Sequence, residues 1–222
     1  MPKLIAFDID GTLLNSWPIF EKALLEYSVE ANLQNPCLDS LRTGYAFPRE
    51  IDYGWGLELH EQRDHLHNVF KRVDEHRSGV VAPMYEGAMK LLKELKKRDY
   101  TLGIVTSKPS EPLAAMLAHH DIEPIFCGIR TSCDVKLRGE KEKPAPDQLL
   151  SLAKELEFDP ANTVMIGDTT MDIEMGRNAG AHTIGVTWGN HCINRLTDAG
   201  AHKVIDNNFD ELLDHITDIT ER

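Results

Sequence analysis

From Pro83 onward, short apolar runs alternate with stretches whose apolar residues recur at helical spacing, and few folds accommodate that rhythm. Strands are predicted over 101–106, 125–128, 163–167, 182–186 and 203–205, with a first strand over Leu4-Ile5-Ala6-Phe7. Helices are predicted over 87–98, 111–119, 147–157, 171–179 and 209–219; the first carries Ala88, Leu91, Leu92 and Leu95 on one face. Alternation of this kind implies right-handed βαβ units and a parallel, Rossmann-like sheet. With 222 residues the chain can bury a full core and still carry an insertion.

Residues 16–81 break the rhythm and contain no strand candidate. Ile19, Phe20, Ala23, Leu24 and Tyr27 recur at helical spacing, and a polar helix is expected over 60–76. Between them Pro36, Gly44, Pro48 and Gly54 confine the chain to short helices and loops. The expected organisation is therefore an α/β core domain of residues 1–15 and 82–222, with an all-helical domain of residues 16–81.

Three of the apolar runs end in groups that carry chemistry. The first leads into Asp8-Ile9-Asp10-Gly11-Thr12, the second into Thr106-Ser107, and the run Val164-Met165-Ile166 into Gly167-Asp168-Thr169-Thr170-Met171-Asp172. A fourth segment, Glu142-Lys143-Pro144-Ala145-Pro146-Asp147, precedes a helical pattern. In open parallel sheets ligands bind beyond the carboxyl ends of the strands. If the three runs are neighbours, Asp8, Asp10, Thr106, Asp168 and Asp172 converge there, with Lys143 able to reach in. Asp8 is a suitable phosphoryl acceptor when a divalent metal screens it. Gly11 permits a sharp turn, and the amides that follow it, Thr12 included, could face an anion.

These motifs, Asp8 to Leu13, Val105-Thr106-Ser107-Lys108-Pro109, Lys143 to Asp147 and Gly167 to Asp172, occur in the order found in the haloacid dehalogenase superfamily, which the chain closely resembles over nearly its whole length. Within it the resemblance is to phosphoglycolate phosphatase-like members. It implies a Mg²⁺-dependent phosphatase acting on a small phosphorylated metabolite through an aspartyl phosphate. It makes Asp8 the nucleophile and Asp10 the general acid and base, with the Asp10 main-chain carbonyl also a metal ligand. Asp168 becomes a further metal ligand, and Asp172 orients the metal waters or Lys143. Gly11, Thr12, Thr106 and the Ser107 amide would bind phosphoryl oxygens, and Lys143 would stabilise developing charge. An insertion after the first motif is, in this superfamily, the cap over the active site; Arg42 and Arg49 in it suit an acidic leaving group. Asn15, Ser107 and Met84-Tyr85-Glu86-Gly87 depart from the commonest family wording without removing a catalytic group.

A sugar-phosphate mutase of the same fold is the alternative, and a non-catalytic interaction protein on this scaffold is a third reading. A receiver domain shares the acidic cluster, Thr and Lys but is shorter and has no such insertion. The net charge of −12 argues against nucleic acid or an acidic membrane as partner, so a phosphate site must be positive locally; the run from Lys136 to Lys143 could supply that charge. The four cysteines have no Cys-x-x-Cys spacing and are read as reduced thiols. The ten histidines are read as surface or helix-face residues rather than ligands. The start Met1-Pro2-Lys3-Leu4 leaves no room for a signal peptide, and no apolar run approaches the roughly 20 residues that span a bilayer, so a cytoplasmic monomer or homodimer is expected.

Overall fold

The structure, a computed structural model, describes residues 3–36, 38, 41, 52–77, 81–206 and 208–220. The chain forms two compact units, Met1–Leu14 with Met84–Arg222, and Asn15–Pro83.

In the first unit six parallel strands form one sheet: β1 (Leu4–Phe7), β2 (Thr101–Val105), β3 (Gly128–Arg130), β4 (Thr163–Gly167), β5 (His182–Val186) and β6 (Lys203–Ile205). Their order is β3-β2-β1-β4-β5-β6. The chain thus runs outward from β1 on one side and returns to its other side at β4, placing the topological switch between β1 and β4. Register fixes what meets there: Phe7 pairs with Ile104 of β2 and Ile166 of β4, so the residues after all three strands lie at one edge. β1 is buried at every position, as expected of a central parallel strand covered on both faces.

The helices of this unit are α3 (Ala88–Lys97), α4 (Ser110–His119), α5 (Ser132–Arg138), α6 (Asp147–Glu155), α7 (Thr170–Ala179), α8 (Ile193–Asp198) and α9 (Phe209–Thr220). They are numbered after α1 (Trp17–Glu30) and α2 (Leu59–Arg77) of the second unit. α3 buries Ala88, Leu91, Leu92 and Leu95, the face read from the sequence. Leu149, Leu152 and Ala153 of α6 pack with Leu4, Ala6, Val105, Met165 and Met175 in one cluster of the core.

Most strand and helix limits agree with the sequence reading within a residue or two; three places differ. The strand expected over 125–128 lies later, at Gly128–Arg130, and Glu123–Ile125 forms a 3-10 turn around Pro124. The apolar Ile125 and Phe126 supplied the misleading signal. Arg130 is 2% exposed within β3, and its guanidinium is satisfied by the Ser151 hydroxyl (2.9 Å), the Ser151 carbonyl (3.1 Å) and Glu155 (2.7 Å). α5 and α8 were not anticipated. α5 includes the start of the charged run from Lys136: Thr131 and Asp134 cap it reciprocally, and Gly139 ends it.

β5 opens at His182, whose ring stacks on His202 at 4.5 Å and lies 5.9 Å from His215 of α9. Burial, then the neighbouring His202, His215 and Lys3, push His182 down to about 4. It is therefore neutral in the fold at pH values where the unfolded chain, at 6.5, already takes up a proton. The sign follows: stability is full above 6.5 and is lost as pH falls toward about 4. Melting temperature should drop through that window, and His182→Gln should flatten the drop. An unchanged slope in the variant would exclude His182 as a source of acid sensitivity.

In the second unit α1 packs on α2. Phe20 meets Phe70 with ring centroids 5.7 Å apart, and the Tyr27 hydroxyl shares a 2.8 Å hydrogen bond with His65 Nδ1. Trp55 stacks on Tyr53 at 4.8 Å and donates from Nε1 to Ser28 Oγ (2.8 Å). No described residue of this unit is in a strand. Among the described residues no helix is long and apolar enough to cross a membrane. Cys127, Cys133 and Cys192 are free thiols, and Cys37 lies outside the described residues.

Candidate active site

Asp8 directly follows β1, and its amide donates to the Ile166 carbonyl of β4 (2.9 Å). Thr106 follows β2, with its amide bonded to the Arg130 carbonyl of β3 (2.9 Å), and Asp168 follows β4. Parallel pairing thus carries past the strand ends and sets these residues side by side. All three are buried.

Lys143 reaches this edge from the segment before α6. Its Nζ donates to Asp8 Oδ1 (2.8 Å) and to Asp172 Oδ1 (2.6 Å), with only 3% of its side chain exposed. Asp172 is the third residue of α7, and its other oxygen accepts from the Thr169 hydroxyl (2.6 Å) and amide (3.2 Å) in a capping box. Of the basic run from Lys136, only Lys143 arrives at the site: Lys136, Arg138 and Lys141 are exposed, and Arg138 pairs with Asp134 and Glu155.

Asp168 is held from three directions. Oδ2 accepts from the Asn190 amide (2.8 Å) and side chain (2.7 Å), and Oδ1 accepts from the Thr12 hydroxyl (3.1 Å). A Cβ on either Gly11 or Gly189 would fall 2.2 Å from Asp168 Oδ2, so both glycines are needed for the close approach, and Gly11 also turns at φ +83°. The first loop does not offer its amides to an anion as expected from the sequence. Gly11 N–H donates to Leu14 O (2.8 Å) and Thr12 N–H to Ile9 O (3.2 Å). The turn is too tight to leave them outward, and the Thr12 side chain serves Asp168.

Asp8, Asp168 and Asp172 each bring one carboxylate oxygen within 4.8 Å of the others. One ammonium, Lys143, stands against three buried carboxylates. Burial, with Asp172 and Asp10 adding repulsion, outweighs Lys143 and raises Asp8 to about 7. Burial and the charges of Asp8 and Asp172 hold Asp168 well above the usual carboxylate range, against the lowering effect of Asn190. For Lys143, burial favours the neutral amine, but Asp172 and Asp8 prevail and raise it above its usual range. A compact all-oxygen donor set with surplus negative charge is what a hard divalent cation such as Mg²⁺ accepts.

Asp10 accepts an ion pair from Lys108 Nζ at 2.5 Å. The Thr106 hydroxyl oxygen accepts from the Lys108 amide (3.2 Å), which leaves its proton available for a phosphoryl oxygen. Ser107 lies exposed between the two. Arg42 and Arg49 lie outside the described residues. Four participants were missed from the sequence: Lys108, Trp188, Asn190 and His191. Trp188 Nε1 donates to the Thr12 carbonyl (2.9 Å), and His191 Nδ1 accepts from the Thr170 amide (3.0 Å). The last three follow β5, whose limits the sequence reading had right, so its carboxyl end pointed to them.

The buried aspartates and Lys143 thus gather at the switch point of a doubly wound parallel sheet, where ligands bind in such folds. The model of the haloacid dehalogenase-like hydrolases matches residues 5–186, and the chain belongs to that family. It is 30% identical over 192 residues to the pyrophosphatase PpaX of Bacillus pumilus, covering 83% of this chain and 82% of that protein. It is 30% identical over 207 residues to a phosphoglycolate phosphatase of Vibrio vulnificus, covering 85% and 86%. The fold is shared with a haloacid dehalogenase-like hydrolase of Streptococcus pneumoniae, at a TM-score of 0.81 and 22% identity over 97% of this chain and 98% of the other.

Proposed function

We propose that the protein is a phosphatase that hydrolyses a small phosphomonoester through a phosphorylated Asp8. The observation that carries this is the excess of buried carboxylate over cation around Asp8, which a divalent metal and a phosphoryl group would together resolve. Asp8, Asp168 and the Asp10 carbonyl would hold Mg²⁺, and the ion when bound supplies charge neutralisation and alignment of the phosphoryl group. Both oxygens of Asp172 are engaged, by Lys143 and Thr169, which favours an orienting role over direct ligation.

The chain's own groups then perform the transfer. Asp8 attacks phosphorus in line as the ester bond breaks, and Asp10 gives a proton to the departing alkoxide. Lys143 and the Thr106 hydroxyl stabilise the equatorial oxygens. Water next attacks the phosphorus of the aspartyl phosphate while Asp10 takes its proton, and orthophosphate leaves. The resemblance makes residues 16–81 the cap, which in this superfamily excludes water and reads the leaving group. Arg42 and Arg49 are the cap residues suited to an acidic leaving group.

A panel of phosphate esters that includes phosphoglycolate, sugar phosphates and p-nitrophenyl phosphate, with the anhydride pyrophosphate beside them, tests this. Free phosphate should appear with at least one natural ester at a kcat/KM of about 10⁴ M⁻¹s⁻¹ or more. Phosphoryl return to a sugar without free phosphate would indicate a mutase, and inertness toward every ester would refute an enzymatic role.

A further inference from the structure

Two lysines converge on this site, and only Lys143 is accounted for by the reaction above. Lys108 is just as unusual. Its side chain is 1% exposed, yet it carries a charged group whose ion-pair partner is Asp10. Its placement is fixed at both ends. The Lys108 amide donates to Thr106 Oγ1 (3.2 Å), its carbonyl accepts from the Ser132 amide at the start of α5 (3.2 Å), and its Nζ meets Asp10 Oδ2 (2.5 Å). Taking an ammonium out of water is costly unless it is well paired, so burial of Lys108 ties its position to that of Asp10.

We infer that Lys108 is a positioning residue that holds the Asp10 carboxylate in place for the second half of turnover. The inference rests on the phosphatase reading above. Asp10 must accept a proton when water attacks the aspartyl phosphate, and the Lys108 ion pair fixes where its carboxylate stands for that transfer. In that step the water oxygen bonds to phosphorus and the bond from phosphorus to the Asp8 oxygen breaks. One water proton passes to Asp10, and Lys108 keeps all of its own. The proton on Asp10 is then available to the next leaving group. The first half-reaction with p-nitrophenyl phosphate needs no such help, because p-nitrophenolate leaves without protonation.

The consequence is a split that a purely structural lysine would not produce. With p-nitrophenyl phosphate, Lys108→Met should lower kcat by about 10-fold or more while kcat/KM changes by less than about 3-fold, since kcat/KM ends at the first irreversible step. Rapid quench should show phosphoenzyme accumulating in a burst. Lys108→Arg, which keeps the cation, should restore kcat and remove the burst. If Lys108→Met does not fold, Lys108→Gln carries the same comparison. Parallel loss of kcat and kcat/KM, or no change in either, would overturn the inference. Asp10→Asn separates this from the underlying reading: a slow Asp10→Asn enzyme beside an unaffected Lys108→Met enzyme defeats only the role of Lys108. Wild-type turnover by Asp10→Asn defeats the assignment of Asp10 itself.

Discussion

Asp8→Asn should lose turnover by a factor on the order of 10⁴ or more, the scale seen when a covalent nucleophile is removed. The amide has the shape of the carboxylate but no electron pair able to form the acyl phosphate. The fold should not suffer. Lys143 keeps Asp172 as a partner at 2.6 Å, so no buried ammonium is stranded. Asp8 in the metal-free protein is raised from 3.8 to about 7 by burial foremost, against the pull of Lys143. The folded state therefore holds that proton more tightly than the unfolded chain. The stability this contributes is full below 3.8 and is lost as pH rises through about 7. An uncharged side chain has no such loss, so metal-free Asp8→Asn should melt at or above the wild type at pH 8. Phosphate release, mass spectrometry of acid-quenched enzyme and thermal melting check the three parts. Substantial activity with a phosphorylated protein would move the nucleophile elsewhere, and a large drop in melting temperature would make the activity loss uninformative.

The sequence is most legible where burial is continuous and least where a polar residue is satisfied at long range. β1 and β4 are mainly apolar runs with few alternatives, and their ends located Asp8 and Asp168. β3 was misplaced because its buried Arg130 draws on Ser151 and Glu155 of α6, partners that no local pattern reveals. α5 was missed although Thr131, Asp134 and Gly139 spell out its caps, because it is only seven residues long and buries only Val135, too little for a helical period to show. Lys108 lies inside a recognised motif, but its meaning depends on Asp10, which reaches it only once β1 and β2 pair. The same holds for Asn190, whose bonds to Asp168 exist because β4 and β5 are neighbours. Motifs thus identified the groups that react, whereas the groups that hold them in place needed the sheet.

Chelation should have the second large effect. EDTA should silence the enzyme, Mg²⁺ should restore it, and Ca²⁺ should inhibit, because its bonds of about 2.3–2.6 Å, against about 2.0–2.1 Å for Mg²⁺, misplace the phosphoryl group. The same ion should stabilise the fold, since it relieves repulsion among Asp8, Asp168 and Asp172 that Lys143 alone does not balance. At a hundredfold excess over its dissociation constant the gain is about 2.7 kcal/mol, enough to register in a melting curve. Asp168→Asn tests where the ion acts. An asparagine there can accept from Asn190 through its oxygen, and the Thr12 hydroxyl can rotate to accept from its amide, so the loop around Gly11 and Gly189 stays satisfied. The variant should therefore fold while losing both the Mg²⁺-dependent rise in melting temperature and the activity. Retention of the thermal shift in Asp168→Asn would place the cation at other ligands, and full activity after exhaustive chelation would remove the metal from the reaction altogether.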